Sequence, residues 1–136
     1  MKRALGIDLG DARVGVAATD DLGMLAHPLE TIQVRSTDVP KRILELAEKK
    51  RVEVIVVGMP RNMDGSFGPA AEKAKAFIAD LQTRTTCRVQ PWDERLTTVS
   101  AQRSLHEAGK NARAQKAIID QVAAQILLQS WLDAQP

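Results

Sequence analysis

Asp8, Glu94 and Asp120 are the residues of this 136-residue chain whose types and settings point most directly to chemistry. Asp8 lies within Gly6-Ile7-Asp8-Leu9-Gly10, a carboxylate inside an apolar strand pattern. Aspartate is depleted from strands and rarely buried without a partner, so Asp8 reads as a functional acid or as a cap on the turn that follows. Asp120 falls inside an apolar helical stripe. Around an ideal helix Ala123, Ala124, Leu127 and Trp131 point close to its own direction, with Gln121, Gln125 and Gln129 marking the wet side. A charge in that stripe costs several kcal/mol unless it is paired or metal-bound. The ion pair would come from Arg113 or Lys116; the metal reading ranks ahead of it. Glu94, in Trp92-Asp93-Glu94-Arg95, follows an apolar strand and precedes an N-cap at Thr97 or Thr98. Its neighbour Asp93 is almost as suitable by chemistry alone.

Three carboxylates without a His or Cys cluster select hard, oxygen-preferring ions, Mg²⁺ or Mn²⁺, over zinc. Such a site suits phosphodiester hydrolysis by two metal ions roughly 3.5–4 Å apart, one activating water and one steadying the leaving oxygen. His27 and His106 stand alone and read as structural or surface residues. Arg13, Arg61, Arg95, Lys110, Arg113 and Lys116 are candidate phosphate contacts, each also open to reading as an ordinary surface charge. Between Arg84 and Lys116 seven basic residues face only three acids, a balance that suits a polyanionic partner and equally a solvated helix face. The loop from Gly58 to Ser66 carries glycines and backbone N–H groups able to meet phosphate, with Asp64 as a turn residue.

The elements that must position these residues change period along the chain. Arg3–Leu9, Val14–Thr19 and Met24–Val34 read as three strands of an antiparallel meander, joined at Gly10-Asp11 and Asp20-Asp21-Leu22-Gly23. Asp38–Arg51 has helical period, with Val39, Ile43, Leu46 and Ala47 on one face. Val54–Val57 is a strand buried on both sides, ended by Gly58, which leaves room between the first and fifth strands, roughly 9–10 Å apart. A loop to Gly68 leads to a helix over Pro69–Arg84, presenting Ala70, Ala74, Phe77, Ile78 and Leu81. Cys87–Pro91 is a fifth strand, Thr97–Ala108 a helix stopped by Gly109, and Ala114–Leu132 the last helix. Hairpin strands followed by alternating helix and strand give an α/β fold, a mixed five-stranded sheet of order 3-2-1-4-5 flanked by helices. Ligands belong beyond the carboxyl end of central strand 1.

One domain spanning residues 1–136 fits this length. Aromatic residues make up 3% of the chain, so the core is aliphatic. The single Cys87 rules out an intrachain disulfide and suits a reducing compartment as a small core residue. No apolar run approaches the ~20 residues of a membrane span, and Asp8 interrupts the stretch a signal peptide would need. A cytoplasmic protein is expected, without a membrane partner.

The segments Gly6-Ile7-Asp8-Leu9-Gly10 with Arg13-Val14-Gly15-Val16-Ala17, Gly58-Met59-Pro60 with Met63-Asp64-Gly65-Ser66, Asp93-Glu94-Arg95-Leu96-Thr97-Thr98, and Asp120-Gln121-Val122-Ala123-Ala124 occur in this order along the chain. Together they closely resemble the bacterial YqgF family, also called RuvX, of the RNase H-like superfamily. The resemblance implies an RNase H-like fold and a nuclease trimming the 5′ end of precursor 16S rRNA in ribosome biogenesis, with Asp8, Glu94 and Asp120 as its acids. The family has also been described as a Holliday junction resolvase. Members are often richer in Lys and Arg than the stretch Gly109–Lys116 is here, which weakens that stretch as the main RNA grip.

Three other readings compete. A sugar-kinase or actin-like ATPase shares the Gly-Ile-Asp-Leu-Gly strand but needs two domains. A resolvase needs a homodimer to present two sites to a four-way junction, and the sequence leaves monomer and homodimer both open. A non-catalytic nucleic-acid-binding domain would have no reason to retain all three acids.

Overall fold

The computed structural model describes residues 3–60, 68–93 and 112–135, with side chains in the last segment from residue 120 onward. Five strands form one sheet: β1 (Ala4–Leu9), β2 (Arg13–Thr19), β3 (Ala26–Gln33), β4 (Val54–Met59) and β5 (Arg88–Asp93). Their spatial order is β3-β2-β1-β4-β5, as the change of period predicts. The meander β1-β2-β3 is antiparallel, while β4 runs parallel to β1 and β5 parallel to β4. The three described helices are α1 (Val39–Lys50), α2 (Pro69–Arg84) and α3 (Ala112–Asp133). The helix expected over Thr97–Ala108 lies outside the described residues.

Side-chain alternation sorts the sheet into two faces. Leu5, Ile7, Val14, Val16, Ile55 and Val57 pack with Ile43 and Leu46 of α1 and with Ala74, Ile78 and Leu81 of α2. Ala4, Ala17, Ala26, Val54 and Val56 pack instead under Ala124, Leu128 and Trp131 of α3. The second face is built of smaller residues, so its helix lies closer to the strands.

Local signals explain the helix limits. Asp38 caps α1 by accepting from the Lys41 N–H at 3.3 Å, Pro40 sits in the first turn, and Arg51 closes the helix with φ 55°. Pro69 opens α2, with Glu72 in the first turn and Arg84 in the last.

Several boundaries differ from the sequence expectation by a residue or two. β3 begins at Ala26 because Met24 and Leu25 belong to the preceding turn and are exposed. β4 continues through Gly58 to Met59, paired with Trp92 and Asp93, so Gly58 lies within the strand instead of ending it. β5 is shifted toward its carboxyl end, and α3 starts at Ala112. On α2 it is Ala71, not Ala70, that is buried. Among the described residues no helix is long and apolar enough to cross a membrane.

Candidate active site

Asp8 is the penultimate residue of β1 and lies directly opposite Gly15 of β2. Opposed residues of an antiparallel pair project to the same face, with Cβ positions about 4.5–5.5 Å apart. Asp8 also shares its face with Gly6, two residues earlier, and Gly6 lies beneath α3. A Cβ on Gly6 would stand 2.7 Å from Leu128 Cβ and 2.9 Å from the Ala124 carbonyl oxygen. On Gly15 it would collide with the carbonyl oxygen of Asp120. Glycine at both positions therefore lets the α3 backbone settle onto β1 and β2, and Asp120 comes to rest over the residue paired with Asp8. Two acidic residues 112 positions apart in sequence are thereby both placed next to Gly15.

Asp120 does not stand alone. The Arg13 Nε–H donates to its Oδ2 at 2.7 Å, and the two side chains are 29% and 17% exposed respectively. Arg13 opens β2 and sits two residues before Gly15, on the same face. Among the described residues the cation beside Asp120 comes from β2; the side chains of Arg113 and Lys116, the candidates the sequence offered, are not described. Pattern reading along α3 alone could not find it; the signal was the i, i+2 spacing of Arg13 and Gly15.

The register also separates the two acids at the end of β5. Val89, Pro91 and Asp93 alternate on one face; Val89 belongs to the α2-side core and pairs with Ile55, and Asp93 pairs with Met59 of the same core. Trp92 points the other way, its Nε1–H donating to Ser130 Oγ of α3 at 3.1 Å. Asp93 therefore stands across the sheet from Asp8 and Asp120. Glu94 itself lies outside the described residues, as do Arg61, Asp64, Arg95, His106 and Lys110. Arg113 and Lys116 fall in the first turns of α3, where only the backbone is described.

The expectation for the glutamines is corrected. Gln121 Nε2 donates to Thr31 Oγ1 at 3.0 Å and Gln125 Nε2 to the Ala26 carbonyl at 3.2 Å. Gln129 Oε1 accepts from the Ala26 N–H at 2.9 Å. This flank of α3 is half-buried against edge strand β3, whose outward backbone groups need partners. Helical periodicity distinguishes apolar from polar flanks, but it cannot tell water from a strand edge. His27 is exposed, in line with a surface role, and Cys87 is a half-buried free thiol donating to the Val52 carbonyl at 3.4 Å.

The donor chemistry of Asp8 and Asp120 fits Mg²⁺ or Mn²⁺: both supply hard carboxylate oxygens, and Arg13 already places one cationic group on Asp120. Among the described residues no three acidic, His or Cys groups converge. A cavity of about 270 Å³, lined by Leu9, Gly10, Val14, Pro40, Lys73 and Phe77, opens on the opposite face of the sheet from the carboxylates. An exposed Lys73–Asp11 pair at 2.8 Å, with both residues on its lining, holds the Asp11 carboxyl below the usual aspartate range.

The family described as "RuvX: Holliday junction resolvase" matches residues 2–134. A relative from Acetivibrio thermocellus, named "Putative pre-16S rRNA nuclease", is 49% identical over 97% of this chain and 96% of its own length. One of the same name from Halothermothrix orenii is 47% identical over 98% and 96%. Among solved structures, Thermus thermophilus RuvC in complex with a Holliday junction substrate shares the fold with a TM-score of 0.60 at 15% identity, covering 98% of both chains. Another structure of T. thermophilus RuvC gives 0.55 at 13% identity, over 96% of both chains.

Proposed function

The chain belongs to the RuvX family, and on that premise we propose that it is a divalent-metal-dependent nuclease that processes the 5′ end of precursor 16S rRNA. The observation that carries the chemistry is that Gly15 pairs with Asp8 and also lies against the Asp120 backbone, at the carboxyl end of β1. The names of the relatives support the choice of RNA.

Asp8, Asp120 and Glu94 hold the metal in this reading. Glu94 is preferred to Asp93 because the register of β5 puts Asp93 on the α2 side of the sheet. When bound, a pair of ions supplies an activated water and stabilises the leaving oxygen of the phosphodiester. The carboxylates act by orientation: seated on a central strand and a close-packed helix, they keep their oxygens fixed, and none has to donate a proton. Arg13, Arg61, Arg95, Lys110, Arg113 and Lys116 bind substrate phosphates, which makes affinity fall with added salt.

A second reading, cleavage of four-way DNA junctions, is favoured by the family's description and by the shared fold of RuvC. Both substrates should be offered in parallel with Mg²⁺ or Mn²⁺, to wild type and to Asp8→Asn and Asp120→Asn. RNA trimming that vanishes in both variants, with their folding verified by circular dichroism, is the expected result. Undiminished cleavage by the variants would remove the acids from the mechanism. Junction cleavage without RNA cleavage would replace the first reading by the second.

A further inference from the structure

The Arg13–Asp120 pair brings a guanidinium, itself a candidate phosphate contact, to the oxygen of an acid assigned to metal. We infer that Arg13 is the resident counter-cation of Asp120: it neutralises the carboxylate in the metal-free protein and yields it when a divalent cation binds. This rests on the metal site proposed above and adds an exchange within it.

Three observations support the exchange. Asp120 is 17% exposed, in an apolar stripe beside Ala123, Ala124 and Leu127, a setting in which a neighbouring cation stabilises the carboxylate. Among the described residues Arg13 is the cation paired with Asp120, and Asp8, opposite Gly15 on β1, adds a second negative charge to that end of the sheet. Next, Asp120 cannot retreat. Its backbone rests on Gly15 without space for a methyl group, and Gln121 and Gln125 tie the helix to Thr31 and Ala26. Arg13, by contrast, is a long side chain, 29% exposed, at the first residue of a strand, and can move without disturbing the sheet. Finally, a divalent ion at the same carboxylate repels a guanidinium left in contact with it. The released group presents a fork of donors matched to phosphate at the same sheet edge. Pairing with Asp120 and contacting substrate are then successive states of one residue.

Mn²⁺ titration followed by electron paramagnetic resonance, with thermal melts in EDTA and in saturating Mg²⁺, tests the exchange on the full chain. Arg13→Gln should lower Tm in EDTA yet bind Mn²⁺ about fivefold more tightly, because a part-buried charge-assisted hydrogen bond no longer competes. Saturating Mg²⁺ should restore its Tm toward wild type. Arg13→Lys, which keeps the charge, should lie between the two in Mn²⁺ affinity. A purely structural Arg13 predicts the opposite sign: weaker Mn²⁺ binding and a Tm deficit that Mg²⁺ does not repair. Mn²⁺ binding that Asp120→Asn weakens but Arg13→Gln leaves unchanged or weaker overturns the exchange alone. Binding that Asp120→Asn does not weaken overturns the exchange and the metal site together.

Discussion

A methyl group on Gly15 would meet the carbonyl oxygen of Asp120, a backbone atom of a helix that is also tied to β3. Unlike a flexible side-chain tip, that oxygen yields only if α3 lifts from the sheet. Gly15→Ala is therefore expected to cost about 3 kcal/mol, the upper end of the overpacking range, read as a lower urea midpoint. It should also separate Asp120 from Asp8, so nuclease activity should fall further than the loss of folded protein accounts for. At the same scale, face parity separates the two acids that end β5. Asp93→Asn should leave most activity in place, whereas Glu94→Gln should abolish it; comparable losses in both would contradict the face assignment. The sequence exposed Asp120 because helical periodicity makes a carboxylate in an apolar stripe conspicuous, and Asp8 because a charge interrupts an apolar strand. It concealed the Arg13 partnership, since a contact between residues 13 and 120 depends on how α3 crosses β2, and no local pattern encodes that crossing.

Between elements, edge strand β3 is fastened on both sides of the sheet. Toward α1, Arg42 grips Glu30 with two charge-assisted bonds, Nη2 to Oε1 at 2.6 Å and Nε to Oε2 at 2.8 Å. The Arg42 hydrogen bond is the main cause that holds the Glu30 carboxyl below the usual glutamate range. A carboxyl with a depressed folded-state pKa stabilises fully above its unfolded value, about 4.3, and loses that contribution as pH falls through the lower folded value. Glu30→Gln should then cost up to about 1 kcal/mol at neutral pH, limited because both side chains are partly solvated. The deficit should shrink toward zero in urea melts carried out below the folded pKa. Toward α3, the glutamine contacts do comparable work at Thr31 and Ala26. The sequence of β3 lacks a clean apolar alternation, and the cause lies here. Pro28 and a mixed burial pattern suit an edge strand, which is held by side chains of two helices as well as by its own alternation. Buried β4 was legible from its unbroken apolar run alone.

Across the whole molecule, the two faces of the sheet do different jobs. The α1–α2 face carries the larger aliphatic core, and the α3 face a thinner layer of Ala, Gly and Val whose glycines bring one helix close to the strands. Sequence period gave the strand order, because a hairpin meander followed by crossovers permits few alternatives. It did not give the difference between the faces, which depends on where α3 crosses the sheet. That helix joins stability to function: it carries Asp120 at one end of its described side chains and, eleven residues or about 16 Å further on, Trp131, which is 1% exposed. A ligand that binds only the folded site stabilises the fold by mass action, about 2.7 kcal/mol at a concentration 100 times its Kd. For a chain of this size that is a rise of roughly 10 °C in Tm. Mg²⁺ should produce it in wild type, and Asp8→Asn and Asp120→Asn should lose most of it. Trp131→Phe thins the apolar anchor without touching the acids, so it should melt lower than wild type yet keep the full Mg²⁺ increment, since distant sites add. Differential scanning calorimetry with and without Mg²⁺ separates these cases. An increment lost in Trp131→Phe would mean that the metal site and the helix anchor form one cooperative unit; one retained in Asp120→Asn would place the ion elsewhere.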